Sequence, residues 1–339
     1  MTGTSANERF EKAFDALEQA VDGRRIPGGV LGYADLEGKR LTRAVGSAAI
    51  VPQVRPMTTE MWFDLASLSK VLFTTSRILA LACEGFIDLD APLTTVIPDF
   101  RQYDPNCWER KVTFRQCLGH STHFPAVEPI YTYGDDPARL RAFVLQREWA
   151  RVETPVYSDI NFILLGIALE RLAGKPIRDL DPGAGFAFSG DPAETAATEH
   201  CAWRGHVMCG EVHDENCYAL QGSGHAGLFG TVDAVLDHAE NLLQRDIEGD
   251  PSVELMRTPL SDRRTHGWER PYENWHGGAH CSAETIGHTG FTGTSLYVDF
   301  ERGYTWTLLT NRVHPSRHFE SGIMTLRRLV SDRINGAKE

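Results

Sequence analysis

The sequence predicts an α+β fold, on three observations. Strand-like segments lie near both ends of the chain, at 29–34 and 41–45 and again at 294–298 and 304–310. Between about 67 and 245 the chain reads mainly as helices and long loops. Amphipathic helices open and close it. A mostly antiparallel β-sheet built from both chain ends, flanked by N- and C-terminal helices and interrupted by a mainly helical domain, is the arrangement these features share. The expected boundaries are 1–74 for the first part of the sheet domain, 75–215 for the helical domain and 216–339 for the second part.

Each element has a local reason. Ser5 and Glu8 form a capping box, Phe10, Phe14, Leu17 and Val21 recur at helical spacing, and Gly23 stops the run. The first strand pair turns around Glu37 and Gly38, the second around residues 301–303. A closing helix is expected to bury Phe319, Ile323, Leu326, Leu329 or Val330, and Ile334. A helix is expected over 65–85, another from Asn161 to a stop at Gly174, and irregular chain from 181 to 227.

Composition excludes several classes. The formal charge is −12 and no basic cluster is present, which argues against nucleic acid or an anionic membrane as partner. No apolar run approaches the roughly 18 residues of a spanning helix. The first residues lack a basic region followed by an apolar stretch, so a cytoplasmic location is expected, or a periplasmic one if a signal has been removed. The seven cysteines show no CxxC spacing and read as reduced, packed thiols. No cofactor is expected, the expected partner is a small acyl substrate, and oligomeric state is unreadable.

The chemistry begins at Ser67-Leu68-Ser69-Lys70. Side chains three apart on a helix share a face, so Lys70 holds its amine beside the Ser67 hydroxyl. An amine desolvated enough to lose its proton activates a serine as nucleophile. A position near a helix N-terminus also favours a developing oxyanion. Alone the pattern is weak, since S-x-x-K arises by chance about once in a chain this long. Tyr157-Ser158-Asp159 precedes a strongly apolar helix, which places the Tyr157 hydroxyl to shuttle a proton. The same Y-x-[ND] pattern recurs at Tyr133 and Tyr272, in turn-rich sequence with no such helix behind it. His288-Thr289-Gly290-Phe291 leads into the strand at 294–298, where a glycine admits substrate to a strand edge. The plain alternative there is a glycine-rich hairpin with purely local hydrogen bonds.

In this order the three patterns resemble the S-x-x-K, Y-x-N and K-T-G series of serine β-lactamases, penicillin-binding proteins and related esterases. The surrounding words add to the resemblance: FDLASLSK at 63–70, YSDINFILLGIALERLAG at 157–174, GHAGLFGTVDAVLDHAENLL at 224–243 and GHTGFTGTSLYVDF at 287–300. It spans roughly residues 27 to 312. It implies a two-part β-lactamase/transpeptidase-like fold with the site in the cleft between the parts. It also implies roles: Ser67 as nucleophile, Lys70 and Tyr157 as proton carriers, and Asp159 orienting Lys70 or the substrate. The Ser67 and Phe291 amides would form the oxyanion hole, with His288, Thr289 and Gly290 lining the substrate site.

Three departures bear on specificity. Asp159 stands where the family has Asn, and His288 where it usually has Lys, which weakens the fixed positive charge for a substrate carboxylate. His120-Ser121-Thr122-His123 replaces a Thr-Ser-Gly-like turn. An esterase-like activity is therefore favoured, with β-lactamase or D-alanyl peptidase activity, or a non-catalytic binding protein, as alternatives. A metal site is the other enzymatic alternative, given His276, His280 and the His200, His206, His213 group. No HExxH or acidic partner pattern supports it, and no metal is expected.

Overall fold

The computed structural model describes residues 5–336. Helix α1, Ala6–Asp22, starts on the expected capping box, with Ser5 and Glu8 each accepting from the other's backbone N–H. Such a cap contributes about 1 kcal/mol. Its apolar stripe, Phe10, Phe14 and Leu17, is fully buried.

Six strands form the main sheet: β1 Gly28–Asp35, β2 Arg40–Ala49, β3 Arg55–Pro56, β4 Thr285–Thr289, β5 Ser295–Asp299 and β6 Tyr304–Thr310. Their order is β3-β2-β1-β6-β5-β4, and every pairing is antiparallel. The two chain ends meet at the centre, where Leu31 faces Leu308 and Tyr33 faces Trp306. This is the α+β architecture expected from the sequence, with β4 as an addition. The expected hairpin region thus contains a further strand that carries His288 and Thr289.

Strand alternation sorts the side chains into two layers. Leu31, Tyr33, Tyr297, Trp306 and Leu308 meet α1 and the closing helix α5, Ile323–Ile334. Trp306 is fixed there by its Nε1–H, which donates to Ser331 Oγ at 2.9 Å. Val30, Ala34, Leu296, Val298 and Leu309 face helix α4, Val232–Ile247. Here Gly32 matters, because a Cβ would lie 2.6 Å from a Val232 methyl. α5 begins later than expected: Phe319 precedes it and is exposed, and Val330 rather than Leu329 is the buried member of its stripe.

The helical half centres on α3, Asp159–Ala173, whose residues from Ile160 to Leu169 are all buried. A helix buried all round belongs in a core. Gly174 ends it in the left-handed conformation, φ 65°. The expected helix over 65–85 is present from residue 68 to Cys83, but it starts later than expected and is not uniform. Ala66 adopts φ 48°, residues Lys70–Thr75 form a π-helical segment, and a regular helix α2 spans only Ser76–Cys83. Such π segments are frequent at functional sites. Among the described residues, no helix is long and apolar enough to cross a membrane.

Candidate active site

The bed for Ser67 is built by contacts from distant parts of the chain. The short strand Phe63–Asp64 pairs with Phe229–Gly230, and the Leu65 N–H donates to the Leu228 carbonyl at 2.9 Å. The buried Asp64 carboxylate accepts from Ala66 N at 2.8 Å and from His213 N at 2.6 Å. From the other side, Thr292 Oγ1 donates to the Asp64 carbonyl and Thr294 Oγ1 to the Leu65 carbonyl, at 2.7 and 3.0 Å. The left-handed Ala66 is thereby held from every direction, and strain of this kind persists only where the surroundings over-determine it.

Lys70 is completely buried, and its Nζ has three acceptors. Ser67 Oγ lies at 2.8 Å, the His225 carbonyl at 2.9 Å and Asp159 Oδ1 at 2.8 Å. Burial works to lower the lysine pKa, but the Asp159 charge and Tyr157 outweigh it, so the pKa lies above its ordinary value. Resting Lys70 is therefore an ammonium. Desolvation, which the sequence led one to expect, is thus opposed by a neighbouring carboxylate.

Tyr157 lies against this cluster. Its hydroxyl hydrogen-bonds with Lys70 and Ser67, and burial raises its pKa despite the lysine charge. Its ring packs 4.4 Å from His120 and 5.9 Å from His288, centroid to centroid, with the Arg264 guanidinium 5.2 Å from its centroid. The competing tyrosines are elsewhere. Tyr133 donates to Glu128 and stacks on Phe143, while Tyr272 lies beside Arg263.

His288 is 2 % exposed, and burial drives its pKa down to about 3. It is neutral, and its Nδ1–H is within 3.0 Å of the Thr289 carbonyl. Gly290 is compulsory for a steric reason, since a Cβ there would sit 2.1 Å from Thr294 Oγ1 and 2.5 Å from the Leu65 carbonyl. The backbone N–H groups of Ser67 and Phe291 have no acceptor among the described residues. Ser67, Tyr157, Asp159 and His288 to Phe291 all line one cleft of about 1140 Å³.

On the sequence alone, several residues of this site had no part in it, although His120 stood out as a departure from the family pattern and His276 as a histidine weighed for a metal. His120 Nδ1 accepts from Ser158 N at 3.1 Å and from Asn161 Nδ2, fixing the turn before α3. Arg264 pairs with Glu269 at 2.9 Å, and Glu269 also binds His276 at 2.9 Å. His225 joins Asp214 at 2.8 Å behind Lys70. Arg312 lines the cleft over the Phe291 ring, with no carboxylate at ion-pair distance among the described residues. Four of the five histidines weighed as metal ligands have other partners: His206 with Glu211, His213 with Glu199, His276 with Glu269 and His280 with Asp332.

Residues 13–329 match the family model described as Beta-lactamase. The chain belongs to the β-lactamase family. Among curated members it is 28% identical to the N-acetylmuramyl-L-alanine amidase of Bacillus subtilis (strain 168), over 86% of this chain and 76% of that one. It is 27% identical to a putative D-alanyl-D-alanine carboxypeptidase of Escherichia coli (strain K12), over 81% and 76%. Among solved structures of the β-lactamase fold, a class C beta lactamase superposes with a TM-score of 0.74 at 15% identity, covering 98% of this chain and 100% of that one. EstCE1, a hydrolase with promiscuous acyltransferase activity, superposes with a TM-score of 0.71 at 20% identity, covering 98% and 99%. Family and fold together make this chain a β-lactamase-family serine hydrolase.

Proposed function

We propose that this hydrolase cleaves acyl esters that need carry no carboxylate, through a covalent acyl-Ser67 intermediate. One observation carries the preference: the residue on the substrate-facing strand, His288, is buried and neutral. A site that holds a substrate carboxylate relies on a fixed cation, and a neutral imidazole does not supply one.

The geometry supports a definite proton route. Lys70 passes one proton to Asp159, turning the ion pair into a neutral amine and a carboxylic acid. The freed lone pair takes the proton of Ser67, whose oxygen attacks the carbonyl carbon. The resulting oxyanion is held by the Ser67 and Phe291 N–H groups. Tyr157 donates its proton to the departing alkoxide and is refilled from Lys70. Water then attacks the acyl-enzyme, giving its proton to the same relay, and Ser67 is restored.

A second reading, amide hydrolysis on a cell-wall peptide, is favoured by the curated relatives and by Arg312. That guanidinium lines the cleft without a carboxylate partner among the described residues and is suited to a substrate anion away from His288. One screen separates the readings: p-nitrophenyl butyrate, nitrocefin and an acyl peptide ending in D-alanyl-D-alanine, with wild type and Ser67→Ala. Higher kcat/KM on the ester, lost in Ser67→Ala, is expected. Preference for either carboxylate-bearing substrate overturns the ester reading, and failure of a fluorophosphonate to label Ser67 overturns hydrolysis.

A further inference from the structure

The peptide group that links Gly290 to Phe291 has two ends. Its N–H is the second donor of the proposed oxyanion hole. Its carbonyl, that of Gly290, accepts from Arg327 Nη2 at 2.7 Å. The same nitrogen donates at 2.7 Å to the Thr294 carbonyl, which also accepts from Gly290 N–H at 2.8 Å. Arg327 therefore spans both ends of the turn that carries Phe291.

The charge state of this arginine is the unusual part. Arg327 is 4 % exposed, and no carboxylate lies within ion-pair distance of it among the described residues. A buried guanidinium that faces carbonyls and the Met324 sulfur with no carboxylate is expensive, and an apolar residue of similar volume would fill the space without that cost. Burial lowers its pKa only to about 10, so it stays charged at neutral pH. A cation on the carbonyl side of an amide draws electron density from the N–H, and hydrogen bonds in series strengthen one another.

We propose that Arg327 is a positioning residue for the oxyanion hole: its guanidinium, bound to the Gly290 carbonyl, aims and polarises the Phe291 N–H. The inference rests on the acyl-enzyme reading above. It predicts stabilisation that grows as negative charge develops on the substrate oxygen, so it appears in kcat and not in ground-state binding.

The test compares Arg327→Gln, which keeps hydrogen-bonding capacity without charge, with Arg327→Lys, which keeps the charge. Arg327→Met stands in should the Gln variant not fold, because it leaves no polar atom buried. The readouts are kcat and KM on a p-nitrophenyl ester, affinity for a boronic acid that adds to Ser67 as a tetrahedral anion, and the infrared carbonyl stretch of a stalled acyl-enzyme. For Arg327→Gln, kcat is expected to fall roughly tenfold, less than the ~10²–10³-fold of losing a donor outright. KM should change little, boronate affinity should fall in step with kcat, and the carbonyl stretch should move to higher frequency. Arg327→Lys should recover much of each. Equal losses in both variants with KM raised and the stretch unmoved, or no loss in Arg327→Gln, would overturn the inference alone. If wild type forms no acyl-enzyme at all, the hydrolase reading falls as well.

Discussion

Lys70 Nζ stands 2.8 Å from Asp159 Oδ1, with the lysine side chain wholly buried and the aspartate half-buried at the cleft. A charge in that position is tolerable only because its partner is in contact with it. Around Nζ stand the nucleophile Ser67 and the His225 carbonyl as hydrogen-bond acceptors, with Asp159 as its ion-pair partner. On the proposed route, activation of Ser67 begins when a proton leaves Lys70 for Asp159, the carboxylate in contact with it.

Asp159→Asn tests this directly. Without the carboxylate, burial dominates and favours the neutral amine, so Lys70 loses its proton at a lower pH than in wild type. kcat/KM against pH should then gain a limb that follows deprotonation of Lys70, absent in wild type, where the proton moves within the pair and not to solvent. A pH profile unchanged from wild type would mean that Asp159 is not the acceptor of the Lys70 proton.

Ser67 and Ser69 should behave oppositely on substitution. Ser67→Ala should remove turnover and covalent labelling with little change in stability, because its hydroxyl is bonded to Lys70 and faces the cleft. Ser69 is 2 % exposed, and its Oγ donates to Ala66 O at 2.6 Å and accepts from Leu228 N at 2.9 Å. Ser69→Ala leaves that buried N–H without an acceptor, at a cost of about 1–3 kcal/mol. Urea unfolding should show the loss, and an unchanged midpoint would contradict it.

Stability should decline as the solution is acidified from neutrality. His120, His276 and His288 are buried and have pKa values below the usual 6.5, that of His288 being about 3. The unfolded chain binds protons at these positions below pH ~6.5 while the folded chain does not. Their contribution is therefore whole above that pH and is lost as pH falls toward the folded values. Each histidine contributes a slope of roughly 1.4 kcal/mol per pH unit within its window. Urea midpoints measured from pH 8 to pH 5 should fall, and less steeply in His288→Asn. A flat profile for wild type would rule this account out.

What the sequence made legible was local or ordered along the chain. The Ser5–Glu8 cap, the strands at the two ends, and the succession Ser67, Lys70, Tyr157, His288 each depend on near neighbours or on order. Strand β4 was missed because Thr285–Thr289 is short, with glycine and histidine among its five residues and only Ile286 strongly apolar. The π-helical segment was hidden for a different reason. Lys70–Thr75 has ordinary helical composition, and its shape is tied to contacts with residues 224 and 225, supplied through Thr74 and Lys70. Arg327 looked like one more charge on the closing helix, and only the sheet brings it to the Gly290 carbonyl. For Lys70, burial was legible in the sequence, whereas the distance of 2.8 Å to Asp159 was not.

The pairing of β1 with β6 has a consequence for biosynthesis. Residues 28–35 emerge from the ribosome early, yet the strand that completes their ladder is made only when translation reaches 304–310. Until then β1 lacks one neighbour, and Asp64 and Leu65 lack the threonine hydroxyls at 292 and 294 that hold the nucleophile's bed. Closure over such separations is slow, and early segments stay exposed meanwhile. A nascent chain therefore carries Ser67 and Lys70 long before it carries a working site, so an incomplete product is not an active acylating agent. The same adjacency brings α1 and α5 together on one face of the sheet. Joining the ends and opening the chain elsewhere would let the two halves of the ladder be synthesised in succession.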